Sequence, residues 1–171
     1  MKKKIFIVSC FFVLVSFTGY GQADCACCGP VHHQFDFWLG SWLVKNTQGQ
    51  EVGENTISKI EDNCILVEKW IGAKGTTGTS HNYYDANDGS WNQLWIDNKG
   101  NILKLKGGLE GSSMVLKSEM IKGENGKLYY NQISWTPNED QTVSQLWEIY
   151  DENKALINTA FLGIYHKKES N

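Results

Sequence analysis

Apolar and polar residues alternate along most of this chain with the two-residue period of half-buried strands. In residues 91–97, for example, Trp91, Gln93, Trp95 and Asp97 share one face, and Asn92, Leu94 and Ile96 share the other. The pattern predicts strands at 40–46, 53–60, 64–71, 78–84, 91–97, 102–107, 114–122, 127–135, 142–150 and 156–166. Between them stand Asp88-Gly89, Lys99-Gly100-Asn101, Gly123-Glu124-Asn125-Gly126 and Asp151-Glu152-Asn153-Lys154, the residue types that tight hairpins require. A sustained helical period is missing, although 35–39 fits a single turn. Short strands at regular spacing predict an all-β fold, an antiparallel meander. Closure into a barrel of about 8–10 strands removes its edges.

The first 21 residues break this pattern. Lys2, Lys3 and Lys4 precede an apolar stretch from 5 to 17, interrupted by Ser9, Cys10 and Ser16, and small residues follow at Gly19 and Gly21. This order is that of a secretory signal peptide cleaved after Gly21, and the apolar run is shorter than the roughly 18 residues of a membrane span. The expected organisation is a signal at 1–21, a Cys/His segment at 22–34 and one barrel domain at 35–171, secreted or periplasmic, with no membrane insertion after cleavage.

The chain has 171 residues with 41% apolar content, enough for one core and too little for two. Its 16 basic residues are all Lys, and its formal charge is −3. Losing three Lys with the leader takes −3 to −6, which offers nucleic acid no electrostatic footprint. Cys25, Cys27, Cys28 and Cys64 survive cleavage, an even number suited to disulfides in an oxidising compartment. The simplest arrangement has Cys64 strapping the leading segment to the domain. The alternative gathers Cys25, Cys27, Cys28, His32 and His33 around a soft metal, but that spacing matches no common zinc pattern. Neither a metal nor a cofactor is called for.

The run Phe35-Asp36-Phe37-Trp38-Leu39-Gly40-Ser41-Trp42 contains a Gly-x-Trp strand opening. Asn63-Cys64, Glu68-Lys69-Trp70, Tyr83-Tyr84-Asp85, Trp91 to Asp97 and Trp135-Thr136-Pro137 follow in order. Over roughly residues 35–167 this string resembles the calycin superfamily, and within it a bacterial group of small lipocalin-like domains. The resemblance implies a barrel with a cup-like ligand site and does not by itself imply an activity. Lipocalins pack a late-strand Arg across the Trp of Gly-x-Trp. Here no Arg exists, and Lys167 or His166 is the implied substitute for that contact with Trp42.

Candidate chemistry concentrates on the strand faces that mix tryptophan with amides and acids. Trp70, Trp91, Trp95, Trp135 and Trp147 are candidate platforms for a sugar ring or an apolar ligand. Asn82, Gln93, Asp97 and Gln145 are candidate polar contacts, since buried amides and carboxylates need partners. Gln93-Leu94-Trp95 recurs as Gln145-Leu146-Trp147. The enzyme expectation is a carbon–oxygen lyase or dehydratase that eliminates across a uronic acid in an acidic oligosaccharide. Tyr84 and Glu68 would transfer protons, and His81 is an alternative base on the opposite face from Tyr84. Glu68 with Asp97 is a weaker glycosidase pair. Two other expectations stand beside it: a non-catalytic binder of a small apolar or aromatic molecule, and a domain whose interior is filled. No Gly-x-Ser-x-Gly, His-Glu-x-x-His, phosphate loop or dinucleotide fingerprint occurs.

Overall fold

The alternating runs are strands in a computed structural model of the chain, which describes residues 25–169. They are β1 (Gly40–Lys45), β2 (Glu51–Ile60), β3 (Ile65–Gly72), β4 (Thr77–Asp85), β5 (Ser90–Asp97), β6 (Ile102–Glu110), β7 (Ser113–Lys117), β8 (Ile121–Lys122), β9 (Leu128–Pro137), β10 (Val143–Asp151) and β11 (Leu156–Lys167). Pairing is antiparallel throughout. β11 pairs with β1, and β9 pairs with β7 and β10, so ten strands close into a ring. The all-β barrel is therefore present as expected. The leader expected at 1–21 lies outside the described residues.

One strand differs from expectation. The run 114–122 is split into β7 and β8 around 118–120. Here the Ser118 side chain enters the ladder: the Asn131 N–H donates 2.9 Å to Ser118 Oγ, where a regular strand would offer a carbonyl. β8 then continues alongside the start of β9.

Turns starting at Asn46, Gly72, Asp97, Gly123, Asn138 and Asp151 share one geometry. In each, the first residue's carbonyl accepts from the fourth residue's N–H, and its own N–H donates to the fifth residue's carbonyl. The fourth residue has positive φ, as at Gly100 (81°) and Lys154 (64°). This is the three-residue hairpin loop with a left-handed bulge. At Asn46, Asp97 and Asp151 a side-chain oxygen also accepts two backbone N–H groups of the turn. These acids and amides shape hairpins.

One end of the barrel is closed from below. The segment before β1 makes two short 3-10 turns, Pro30–His33 and Asp36–Trp38, and drives Phe35 and Trp38 into the barrel at 0% exposure. These rings stack at 5.0 Å and pack against Trp91, Trp135 and Tyr165. The Cys27–Cys64 disulfide ties the plug to the β2–β3 hairpin, and Cys25–Cys28 closes a small loop beside it. Lys59 adds an ion pair to Asp36 and donates 3.0 Å to the His32 carbonyl. The strap expected of Cys64 is thus present, and the sulfurs that a metal would have used are spent in disulfides. Such bonds persist in an oxidising, extracytoplasmic compartment. Among the described residues, no helix is long and apolar enough to cross a membrane. Lys167, one of the two cations expected over Trp42, holds its ammonium 5.6 Å from the Trp42 ring centre.

Candidate functional site

Above the plug the barrel is not filled. A cavity of about 480 Å³ opens toward the end opposite the Cys64 hairpin. That volume falls within the ~300–1,000 Å³ of small-molecule sites. Trp70, Trp95, Trp147, Tyr129 and Phe161 line it with Leu103 and Ile133. Glu68, Gln93, Asn131, Gln145 and Tyr165 are among its polar lining, with Thr76, Asp97 and Asn101. A smaller recess beside the β1–β2 turn shares Trp70, Thr76 and Phe161 with the cavity.

Glycines explain why rings line this lumen without filling it. A Cβ on Gly53 would come within 2.6 Å of the Trp70 indole, and one on Gly163 within 2.6 Å of Phe161 Cζ. One on Gly78 would overlap the Trp95 indole. The three rings therefore occupy space that side chains on β2, β4 and β11 would otherwise take, and the centre stays open.

Beneath the aromatic wall runs a buried polar network. Gln93 Nε2 donates 2.8 Å to Asn82 Oδ1, and Asn82 Nδ2 donates 2.9 Å to Ser80 Oγ. Ser80 Oγ donates 2.6 Å to Glu68 Oε2. Asn55 Nδ2 donates 2.7 Å to Glu68 Oε1 and 3.2 Å to the Tyr165 hydroxyl, which donates in turn to Gln145 Oε1. On the opposite wall, Trp147 Nε1 donates 2.8 Å to Asn131 Oδ1. Strand register builds this floor. Glu68 faces Ser80 across β3–β4, and Asn82 faces Gln93 across β4–β5.

Glu68 is 5% exposed, and its two hydrogen-bond donors are neutral. Burial raises its pKa above the ordinary carboxylate range, against the lowering effect of Ser80 and Asn55. Burial beside Glu68 likewise pushes the Tyr165 phenol well above 10, so it stays protonated. Because Glu68 holds its proton to a higher pH when folded, its ionisation opposes folding as pH rises. Glu68→Gln, which does not titrate, is therefore expected to gain stability relative to the native protein between pH ~4.3 and the raised folded pKa. The gain is about 1.4 kcal/mol for each pH unit between them. Parallel urea titrations across pH check this; a difference independent of pH would contradict it.

The candidate residues divide by level along the barrel axis. Glu68, Trp70, Gln93, Trp95, Asp97, Gln145 and Trp147 all line the cavity. Asn82 lies in the layer beneath, bonded to Gln93. Trp91 and Trp135 are buried against the plug, where Trp91 Nε1 donates 3.0 Å to Gln34. Tyr84 packs there too, edge-on to His32 and Trp91, and is not among the cavity's lining residues. His81 points outward and is exposed. Glu68 is thus the one member of the proposed catalytic trio at the cavity. Asp97 sits at the rim, and its carboxylate accepts from the Lys99 and Asn101 N–H groups and from Asn101 Nδ2. Asn101 is the largest influence holding its pKa below the ordinary value.

Asn55, Tyr165, Asn131, Tyr129 and Phe161 are site residues that strand-face reasoning passed over. Alternation carried the signal for two of them: Asn55 falls between inward Gly53 and Ile57, and Tyr165 follows Phe161 and Gly163 on the inner face. No protein-family model matches this chain, and no curated protein matches it.

Proposed function

We propose that this protein is a calycin-like binding barrel, exported by its leader, that holds a small and largely apolar or aromatic molecule in the open cavity. The observation that carries this reading is the cavity itself: an aromatic wall resting on glycines, over a polar floor satisfied mainly by its own hydrogen bonds. An apolar pocket with a few convergent polar groups is the usual form of a small-molecule site. The Lys167–Trp42 contact and the two disulfides support the calycin and export parts of the reading. Elimination from a uronate draws less support. It needs donors or positive charge aimed at the substrate carboxylate, whereas the charged residues among the described lining, Glu68 and Asp97, would repel it.

The test is titration with the neutral probe N-phenyl-1-naphthylamine, followed by energy transfer from tryptophan. Saturable 1:1 binding is expected, and no binding would overturn the reading. Gly78→Ala is expected to force the Trp95 ring off its glycine and weaken the probe by about tenfold. An unchanged affinity would show that the ring does not define the site.

A further inference from the structure

The cavity's charge and its rings point to the kind of molecule it takes. Glu68 is buried at the floor among neutral donors. The described lining includes no Lys and no His; Lys74 lines the adjoining recess. With only neutral donors around it, a buried acid resists ionising, and a bound cation would supply the counter-charge that its carboxylate lacks. Each Glu68 oxygen accepts one assigned hydrogen bond, which leaves acceptor capacity on both. Asn55 Oδ1, beside it, is buried with no donor at all.

Around this acceptor-rich floor stand Trp70, Trp95, Trp147 and Tyr129. Indole and phenol faces attract an ammonium by their quadrupoles, most strongly where water is excluded. Asp97 at the rim, held ionised by its turn, adds negative potential at the entrance. An anionic ligand would meet repulsion from Glu68 and Asp97, and a neutral one would leave the buried acid uncompensated.

Building on the small-molecule-binding reading above, we infer that the cavity takes a monovalent organic cation, an amine or quaternary ammonium with an apolar or aromatic tail. Its charged head seats at Glu68 among the indoles. The tail lies along Leu103, Ile133 and Phe161 toward the mouth.

Three ligands with closely matched frames test this at pH 7.5: 4-phenylbutylamine, 4-phenylbutan-1-ol and 4-phenylbutyrate, each displacing N-phenyl-1-naphthylamine from the disulfide-intact protein. The amine is expected to displace the probe about tenfold more strongly than the alcohol, and the carboxylate more weakly than either. In Glu68→Gln the ratio of amine to alcohol affinity is expected to fall toward one. A probe that binds but yields to the alcohol or carboxylate as readily as to the amine overturns the cation assignment while the binding reading stands. So does a Glu68→Gln protein that keeps the native ratio. Failure of the probe to bind overturns both. The order among the three in the native protein decides the matter even where the variant does not fold.

Discussion

Replacing Trp38 with alanine is expected to destabilise the protein by about 3–5 kcal/mol, the range for deleting a large aromatic ring from a packed core. For a domain of this size that lowers the melting midpoint by on the order of 10 °C. The ring is 0% exposed, stacks on Phe35, and lies 5.3 Å from the Trp135 ring centre and 6.3 Å from that of Tyr165. It has no route to collapse, because the barrel wall surrounds it on several sides. The segment that carries it precedes the first strand, yet its removal opens the middle of the closed end. Chemical denaturation followed by tryptophan emission reads the effect. A loss under about 1 kcal/mol would mean that the plug is a surface attachment and not part of the cooperative core.

The second large effect concerns the strap. Cys27 and Cys64 are 37 residues apart, whereas Cys25 and Cys28 are 3 apart. Loop-closure entropy predicts that removing the long-range bridge with Cys27→Ser and Cys64→Ser costs about 4 kcal/mol, and removing the short one about 2 kcal/mol. The long bridge also sets the plug against the β2–β3 hairpin, so its loss should increase proteolysis in residues 25–39 before any strand is cut. Equal destabilisation by the two double variants would contradict this assignment of roles. So would first cleavage within the barrel.

Much of this architecture can be read from alternation, because one barrel face is buried and a one-residue slip would reverse every strand. Trp91, Gln93 and Trp95 point inward as alternation requires, and His81 points outward. The height of a residue in the barrel is a different matter. Tyr84 and Glu68 both face inward, but Tyr84 meets the plug and Glu68 meets the cavity, and strand periodicity has no term for that distinction. It depends on which end the pre-strand segment enters, which rests on the Cys27–Cys64 bridge and on long-range packing of Phe35 and Trp38. The same limit hid Asn55 and Tyr165. Each is readable as inward. Asn55 meets Glu68 across the β2–β3 hairpin, but Tyr165 joins them only when β11 closes against β1. The break at Ser118 depends on a side-chain oxygen entering the ladder opposite Asn131, and no local pattern announces it.

The seven tryptophans allow the central claim to be tested in one spectrum. Trp38, Trp42, Trp91 and Trp135 are packed at the closed end, while Trp70, Trp95 and Trp147 surround the open volume. With indole nitrogens labelled, addition of N-phenyl-1-naphthylamine should shift the N–H resonances of Trp70, Trp95 and Trp147 in a saturable way and leave the other four in place. Shifts confined to the four closed-end tryptophans, or none at all, would contradict an open ligand site at the other end of the barrel.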